Sequence, residues 1–502
     1  MTIAVKPALS RAEVALAYHA RTKHSLKRYA AGPETLDWDE QPDPFREFAG
    51  CRRLPLALMA DQVATTFAGI YAPSAKPAAL TIATAGALLE LSMGLAAWKE
   101  YGPDKWALRC NPSSGNLHPT EAYVICRDLP GLADGLYHYV SRDHALEQRC
   151  ESPATPGAPA PRLWVGLCSI HWREAWKYGE RAFRYCQIDL GHAIGAVRYA
   201  AAALGLSASV VPGLEQSSLS ALMGLDRGQD FSGAEPEDAG VMIAIAAQPG
   251  AEDGAAIEGP RPWAATSRWA GRASVLDRHP MYRWPAISEV AVATRECGAR
   301  EPKTRFDYPA LNHTCEKDAA ELILGRRSAQ RFDRAFTMTA EVFFHLMDSV
   351  LARSITPFDV WDFTPRTHLI LFVHRVHGLA PGLYALPRRP EMTQTLRDSM
   401  RADFEWLTPA NAPAHLPLAR LLPGDFRAAA RTACCHQAIA GDSCLAMTML
   451  SEFEPLVSTD PWRYRQLHWE TGLVGQVLYL EAEAAGLRAT GVGCYFDDAV
   501  HE

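Results

Sequence analysis

At 502 residues the chain is longer than one hydrophobic core normally serves, so two to three domains are expected. Its 48% hydrophobic and 21% charged residues are those of a globular protein in water, and a net charge of -7 argues against a nucleic-acid partner and gives no membrane signal. The twelve cysteines contain no C-x-x-C pair, and the neighbours Cys434 and Cys435 have poor geometry for an ordinary disulfide or a zinc site.

Those thiols read as reduced, in a cytoplasmic protein. The N-terminus has no basic-then-apolar signal pattern. The most apolar run, Thr81 to Trp98, contains Glu90, is short for a membrane span, and reads as a buried helix. Along the chain, residues 1–50 carry a helical pattern from Arg11 to Tyr29 and then a Pro-rich connector. Arg21, Lys23, His24 and Ser25 read as a solvated face or a grip on another domain, with a phosphate contact as the sharper alternative. Residues 51–250 form a first domain that opens with helices over 51–110. It continues with short strands around AYVICRDL and LYHYV, a buried strand RLWVGLCSI, a long helix through QIDLGHAIGAVRYAAAALGL, and returning strands. Residues 251–318, rich in Gly, Pro, Ala and charge, read as a linker. Residues 319–502 form a second domain.

The second domain repeats the first. GLAPGLY at 378–384 matches GLADGLY at 131–137 in six of seven positions, and HWETGLVGQVLYLEAEAAGL aligns with QIDLGHAIGAVRYAAAALGL, setting Glu470 against Asp189 and Gly472 against Gly191. The expected fold is α+β: two tandem α/β sandwich domains forming a pseudo-dimer within one chain, with further oligomerisation left open.

The stretch Arg109–Val124, RCNPSSGNLHPTEAYV, concentrates the chemistry. A Pro-Ser-Ser-Gly turn brings backbone N–H groups and hydroxyls close to a docked group, and Asn116 can donate and accept at a heteroaromatic edge. Its bland alternative is a polar turn before a strand. The second half has lost this group (WDFTPRTHL stands there) but carries Arg326-Arg327-Ser328, read as lying at a helix start. Guanidinium forks, a hydroxyl and free helix N–H groups would suit a phosphate.

PSSGNLHPTEAYV, with RRS and WKYGERAFRY, resembles the nitroreductase-like SagB/ThcOx-type dehydrogenases in their tandem, two-domain form. The resemblance covers most of the chain. It implies FMN as cofactor and a flavin site drawn from both subunits of a dimer, here from both halves. The composite site would take Arg326, Arg327, Ser328, Gln330 and Arg331 from the second half and Pro112, Ser113, Ser114 and Asn116 from the first. Gly491, Val492 and Gly493 would pass close to the ring. The mirror-image site would be degenerate. Family members usually continue beyond Glu502 through a closing strand, so that strand is expected to be missing here.

By the same resemblance Lys177 and Tyr178 are the catalytic pair that removes a proton from substrate carbon, with Arg173, Arg181 and Arg184 supplying a field that would lower the lysine's pKa. His118 and His192 rank second, and Asp189 and Glu121 are expected to hold Arg184 or backbone groups. No His/Cys spacing reads as a metal site, and there is no P-loop or GxGxxG. Three functions stay open: an azoline dehydrogenase acting on a modified peptide or related small molecule, an NAD(P)H-dependent nitro or quinone reductase, and a flavin-free pseudoenzyme that binds a partner.

Overall fold

The computed structural model describes residues 9–72, 77–153, 161–247, 259–295 and 306–501. Helix α1 (Arg11–Arg21) starts in a capping box, Ser10 Oγ accepting from Glu13 N–H at 3.2 Å and Ser10 N–H donating to Glu13 at 2.7 Å. It stops well short of Tyr29, because Thr22 returns both its N–H and its hydroxyl to Tyr18 O. The basic turn beyond it grips the rest of the chain: Arg21 pairs with Glu180, Lys23 with Asp498, and His24 N–H with Asp497.

The expectation of helices throughout 51–110 fails. Among the described residues the one α-helix there is α2 (Ile82–Ser92), preceded by short 3-10 turns at Ala60–Gln62 and Ala68–Tyr71. Met93 and Gly94 both return their N–H to Leu89 O, at 3.0 and 2.8 Å, which winds up the helix. The chain then folds into a hairpin, β1 (Leu95–Tyr101) on β2 (Asp104–Arg109), and residues 52–55 are a short strand. The apolar spacing at 95–101 served a strand.

The first half's sheet contains β3 (Thr120–Arg127), β4 (Gly135–Val140), β5 (Ala145–Glu151), β6 (Arg162–Ser169), β7 (Ser207–Val210) and β8 (Asp238–Ala246). Their order is β5-β4-β3-β6-β8-β7, antiparallel throughout, and Arg52–Pro55 and Arg268–Trp269 extend the β5 edge. Helix α3 (His171–Tyr178) follows β6, and α4 (Ala182–Ala203), almost wholly buried, crosses the sheet. The stretch expected as linker has its own elements among the described residues: the short strands near 268–273 and α5 (Pro285–Ala293), which packs on α1 and α4.

The second half contains α6 (Ala319–Gly325), α7 (Ala340–Ser349), β9 (Thr367–Val373), β10 (Gly382–Leu386), β11 (Ala419–Pro423), β12 (Leu445–Ser451), α8 (Arg463–Ala484) and a last short helix, α9 (Asp497–His501). Its sheet runs β11-β10-β9-β12, again antiparallel. The repeat persists in atomic detail. Gly131 and Gly378 both take positive φ (86° and 79°) in the turns before β4 and β10. Tyr137 donates its hydroxyl to Ala133 O at 2.7 Å, and Tyr384 does the same to Ala380 O at 2.6 Å. Among the described residues, no helix is long and apolar enough to cross a membrane.

The two halves meet where α4 crosses α8. At Gly191 an added Cβ would lie 2.2 Å from Trp469 O, and at Gly472 it would lie 2.1 Å from Ile188 O and 2.8 Å from Gly191 Cα. Only a glycine pair lets the backbones come this close. Leu190, Ala193, Ile194 and Val197 of α4 then share one continuous core with Leu473, Val474, Val477 and Leu480 of α8. Trp469 Nε1 donates to Gln187 at 2.8 Å across the crossing. Gly472→Ala is therefore expected to destabilise the protein by about 1–3 kcal/mol or more. Gly228→Ala, whose Cβ would meet open space, should be near neutral. Urea unfolding of both variants checks this, and an unchanged midpoint for Gly472→Ala would show that the helices are not locked here.

Candidate functional site

The turn between β2 and β3 is left-handed at Gly115 (φ 59°), Asn116 (φ 60°) and His118 (φ 52°). Gly and Asn tolerate that conformation. Ser113 Oγ accepts from His118 N–H at 2.8 Å, and Asn116 Nδ2 donates to Ala107 O at 2.9 Å, so the amide braces the turn against the hairpin. Ser114 donates its N–H to Asp189 at 3.0 Å and its hydroxyl at 2.9 Å. Asp189 lies two residues before Gly191, so the helix crossing sets the anchor of the turn. Glu470, two residues before Gly472, accepts Arg366 N–H at 2.8 Å ahead of β9 in the same way. Asp189 thus holds backbone as expected. Glu121 instead binds Arg173 and His138, and neither carboxylate holds Arg184.

Tyr178, at the end of α3, lies against this turn: a Cβ on Gly115 would be 2.5 Å from its hydroxyl. Its ring packs edge-on against Tyr185 at 4.7 Å. Lys177 Nζ, half-buried, sits 5.6 Å from the Trp38 ring and 5.5 Å from the Tyr178 ring. The arginines expected to supply a field at Lys177 are all engaged by carboxylates. Arg173 is buried against Glu121, while Arg181 and Arg184 both pair with Asp497, at 2.8 and 2.6 Å. Arg173 thus has a carboxylate facing it, whereas Arg181 and Arg184 share the single carboxylate of Asp497.

The second-half group is built differently from the expectation. Arg326-Arg327-Ser328 follow α6 instead of starting a helix: Arg326 is the C-cap residue, with extended backbone. No free helix N–H groups are offered there, and the basic pair complements the helix's negative end. Arg326 is buried and crosses to the first half, donating Nε to Cys110 O at 3.1 Å with its guanidinium 5.0 Å from the Tyr479 ring. Its Nη1 is buried without a partner. Arg327 donates to Leu324 O and Arg326 O, both at 2.7 Å, and to Ala96 O of the hairpin at 3.2 Å. Tyr479 Oη joins the remaining pieces, lying 3.0 Å from Ser328 Oγ and accepting Gly491 N–H at 2.6 Å. Tyr185 donates to Gly493 O at 2.9 Å. Gln330 and Arg331 are exposed just beyond, and Val492 is half-buried.

Both expected groups therefore converge, linked by three tyrosines. The rings of Tyr178 and Tyr185 stand between Gly115 and Gly493. One cleft lies beside Trp172 and Trp176, next to Lys177, and another beside Tyr71 and Tyr308. His118 is buried, with Nδ1 unpartnered, and His192 sits in the helix crossing 3.3 Å from Gln476.

Sequence reasoning missed Tyr479, Tyr185 and Glu174. Tyr479 stands where the repeat has Arg198, a divergence that would have flagged it. Glu174 lies one turn before Lys177 and Tyr178 on α3. It is fully buried, with neither carboxylate oxygen hydrogen-bonded, and burial followed by the charge of Asp189 pushes it well above the usual carboxylate range. Burial also pushes Asp189 up to about 7, against the opposing bonds from Ser113 and Ser114.

The nitroreductase family model matches residues 83–236, which hold the Pro112–Asn116 turn, Lys177, Tyr178 and α4. The chain carries a nitroreductase-family domain. Similar sequences include a nitroreductase candidate of Methanocaldococcus jannaschii, MJ1384, at 28% identity over 117 residues. Another is the trifolitoxin-processing protein TfxB of Rhizobium leguminosarum bv. trifolii, at 31% over 142 residues. These matches take in 21% and 25% of this chain and 59% and 38% of the relatives' own lengths, so the chain spans about half of the curated relatives it matches. A crystal structure of a nitroreductase candidate from Anabaena variabilis covers 97% of this chain and 95% of its own, with a TM-score of 0.69 at 20% identity. That likeness shows one shared fold along both halves, well beyond the nitroreductase-family domain itself.

The carboxyl at Asp189 makes stability depend on pH. The folded chain keeps this proton up to about pH 7, whereas an unfolded Asp releases it near ~3.9. Its contribution is complete below the unfolded value and is lost as pH rises through the folded one. Between those values wild type should lose stability relative to Asp189→Asn, with a constant difference above the window. Urea unfolding of both proteins across this range measures it, and parallel curves would show that Asp189 does not titrate there.

Proposed function

We propose that the chain is an FMN-dependent oxidoreductase of the SagB type with one composite flavin site, acting on a modified peptide or a related small molecule. The observation that carries this reading is the joint between the halves. Arg326 of the second half reaches Cys110 O of the first, two residues before the Pro112 turn, and Tyr479 ties Ser328 to Gly491 beside it. The donor set fits a flavin phosphate: a buried guanidinium with an unpartnered Nη1 at Arg326, the Ser328 hydroxyl and the exposed Arg331, with the Arg327 charge beside them although its N–H groups already serve backbone carbonyls. Pro112, Ser113, Ser114 and Asn116 shape the opposite wall, and Gly491, Val492 and Gly493 leave part of their backbone open to a planar ring.

FMN, when bound, supplies a two-electron acceptor. The chain's own residues handle the proton and exclude water. Tyr178 keeps its hydroxyl proton, since burial and the neighbouring Glu174 raise its pKa well above the ordinary value, and it is placed to donate to a substrate heteroatom. Lys177 Nζ, 5.6 Å from the Trp38 ring and 5.5 Å from the Tyr178 ring, would in its neutral amine form take a proton from a substrate carbon. Glu174 shares that face of α3 and stays neutral beside them.

Similarity to a trifolitoxin-processing protein favours the peptide substrate. Similarity to MJ1384 favours an NAD(P)H-dependent reductase of nitro compounds or quinones. The flavin-free reading has its own support in the two tyrosine rings that stand between Gly115 and Gly493.

A visible spectrum of the purified protein, with quantification of released flavin, separates these. The expected result is about one FMN per chain. Ser328→Ala combined with Arg327→Ala should cut the bound flavin at least tenfold, whereas Lys177→Ala should stay yellow while losing turnover. Rapid bleaching by NAD(P)H would favour the reductase reading. A colourless protein that FMN does not reconstitute would remove the oxidoreductase assignment and the roles of Lys177 and Tyr178 with it.

A further inference from the structure

On the far side of α8 from the composite site lies a second cluster, which plays no part in the proposed oxidoreductase chemistry. Glu481 is two residues beyond Tyr479 and so points about 200° away around the helix. Ligand-type atoms of His313, His345 and Glu481 all lie within 4.8 Å of one another. We infer that these three residues form a divalent transition-metal site of the zinc class.

The geometry and charge both point to a cation. Glu481 Oε2 lies 2.9 Å from His345 Nε2, and Oε1 lies 3.8 Å from His313 Nδ1. These separations bracket the roughly 3.3 Å between ligand atoms that each sit about 2.0–2.1 Å from a tetrahedral zinc. The Glu481 side chain is 1% exposed, and among the described residues its ion-pair partners are these two imidazoles. A buried carboxylate ordinarily has a fixed positive charge or a metal beside it.

His313 supplies the independent observation. Its side chain is only 4% exposed, Nδ1 faces Glu481, and Nε2, the other ring nitrogen, is buried without a hydrogen-bond partner, so no fixed acceptor ties the ring to one tautomer. The ring is held flat against Tyr71, with centroids 3.4 Å apart and planes 4° from parallel, and stands edge-on to His345 at 5.3 Å. Such a ring is already oriented, so little conformational freedom remains to be lost on binding. Tyr71 donates its hydroxyl to Glu481 Oε1 at 2.6 Å, as outer-shell partners of metal-bound carboxylates do, and Tyr199 Oη lies 3.3 Å from Tyr71 Oη.

Two imidazoles and one carboxylate suit Zn2+, Co2+ or Fe2+ better than Mg2+ or Ca2+, and three protein ligands leave a coordination position open. Tyr71, which bonds Glu481, also lines a cleft of about 480 Å³ with Tyr308 and Arg353. The ligands come from the segment before α6, from α7 and from α8, while Tyr71 comes from the first half. A bound cation would therefore fasten the two halves at a point remote from the Gly191–Gly472 crossing. The first half has no equivalent, since the repeat sets Ala200 against Glu481.

The test uses the tag-free full-length protein, stripped with a chelator and titrated with Zn2+ by calorimetry, with bound metal counted by atomic emission. One Zn2+ per chain is expected, together with a rise in unfolding temperature that Mg2+ does not produce. Glu481→Gln, which keeps the side-chain shape and the bond from Tyr71, should weaken Zn2+ binding at least tenfold, and His345→Ala should do the same. Flavin content should stay unchanged in both variants, which separates this site from the composite one. Failure of wild type to take up Zn2+, or uptake by the variants with unchanged affinity, would overturn the assignment. The wild-type titration and thermal shift decide the matter even if a variant does not fold.

Discussion

Two helices can share a core at ordinary separation with side chains between them, or they can touch backbone to backbone. In this chain α4 and α8 do the second, because Gly191 and Gly472 sit at the same point of the crossing and each faces a carbonyl oxygen of the other helix. The contact works as a register mark. Once it is made, Asp189 and Glu470, each two residues earlier, are placed beside the turns that lead into β3 and β9, and each accepts a backbone N–H there. Buried aliphatic side chains of both helices then close one core across the halves, each contributing ~1.5–3 kcal/mol when fully removed from water. The candidate site is thus a consequence of how the halves dock.

Charge follows the same logic. Arginines that look free in the sequence are consumed in holding elements together: Arg173 on Glu121, Arg181 and Arg184 on Asp497, Arg388 on Glu470. Asp497 is the more telling case, because its carboxylate also accepts His24 N–H and so pins the segment after α1 to the end of the chain. Two buried arginines around it hold its pKa down to about 2, against the effect of burial. Carboxyls without such partners behave oppositely. Glu174 and Asp189, buried close to the turn, are pushed upward, Asp189 to about 7.

Much of the architecture was legible in the chain itself. The matching GLADGLY and GLAPGLY turns, and the alignment that set Gly472 on Gly191, announced a duplicated fold, but not that its copies meet where those two glycines sit. The turn at 112–116 and the Lys-Tyr pair were also visible, because small residues and paired polar groups stand out locally. Other features were misread for physical reasons. Apolar residues at 95–101 fit a helical spacing as well as a strand's, and only the wound-up helix end at Gly94 decides between them. Arg326-Arg327-Ser328 sits at a helix end, and composition alone does not say which end. Tyr479 reads as one more apolar-faced residue of α8 until its hydroxyl is seen bridging Ser328 and Gly491.

By itself the sequence determined the fold class, the duplication, the equivalence of the two long helices and the segments that carry polar chemistry. Each of these rests on local pattern: periodicity, turn residues and repetition along the chain. Only the tertiary structure decided which side chains remain unpaired once the halves have docked. It paired Arg173, Arg181 and Arg184 with carboxylates, left Arg326 Nη1 and Glu174 without partners, set Tyr178 on Gly115, and gathered His313, His345 and Glu481 from three distant segments. The reason is that pairing and burial depend on neighbours brought together across long stretches of chain, and no spacing along the sequence encodes them.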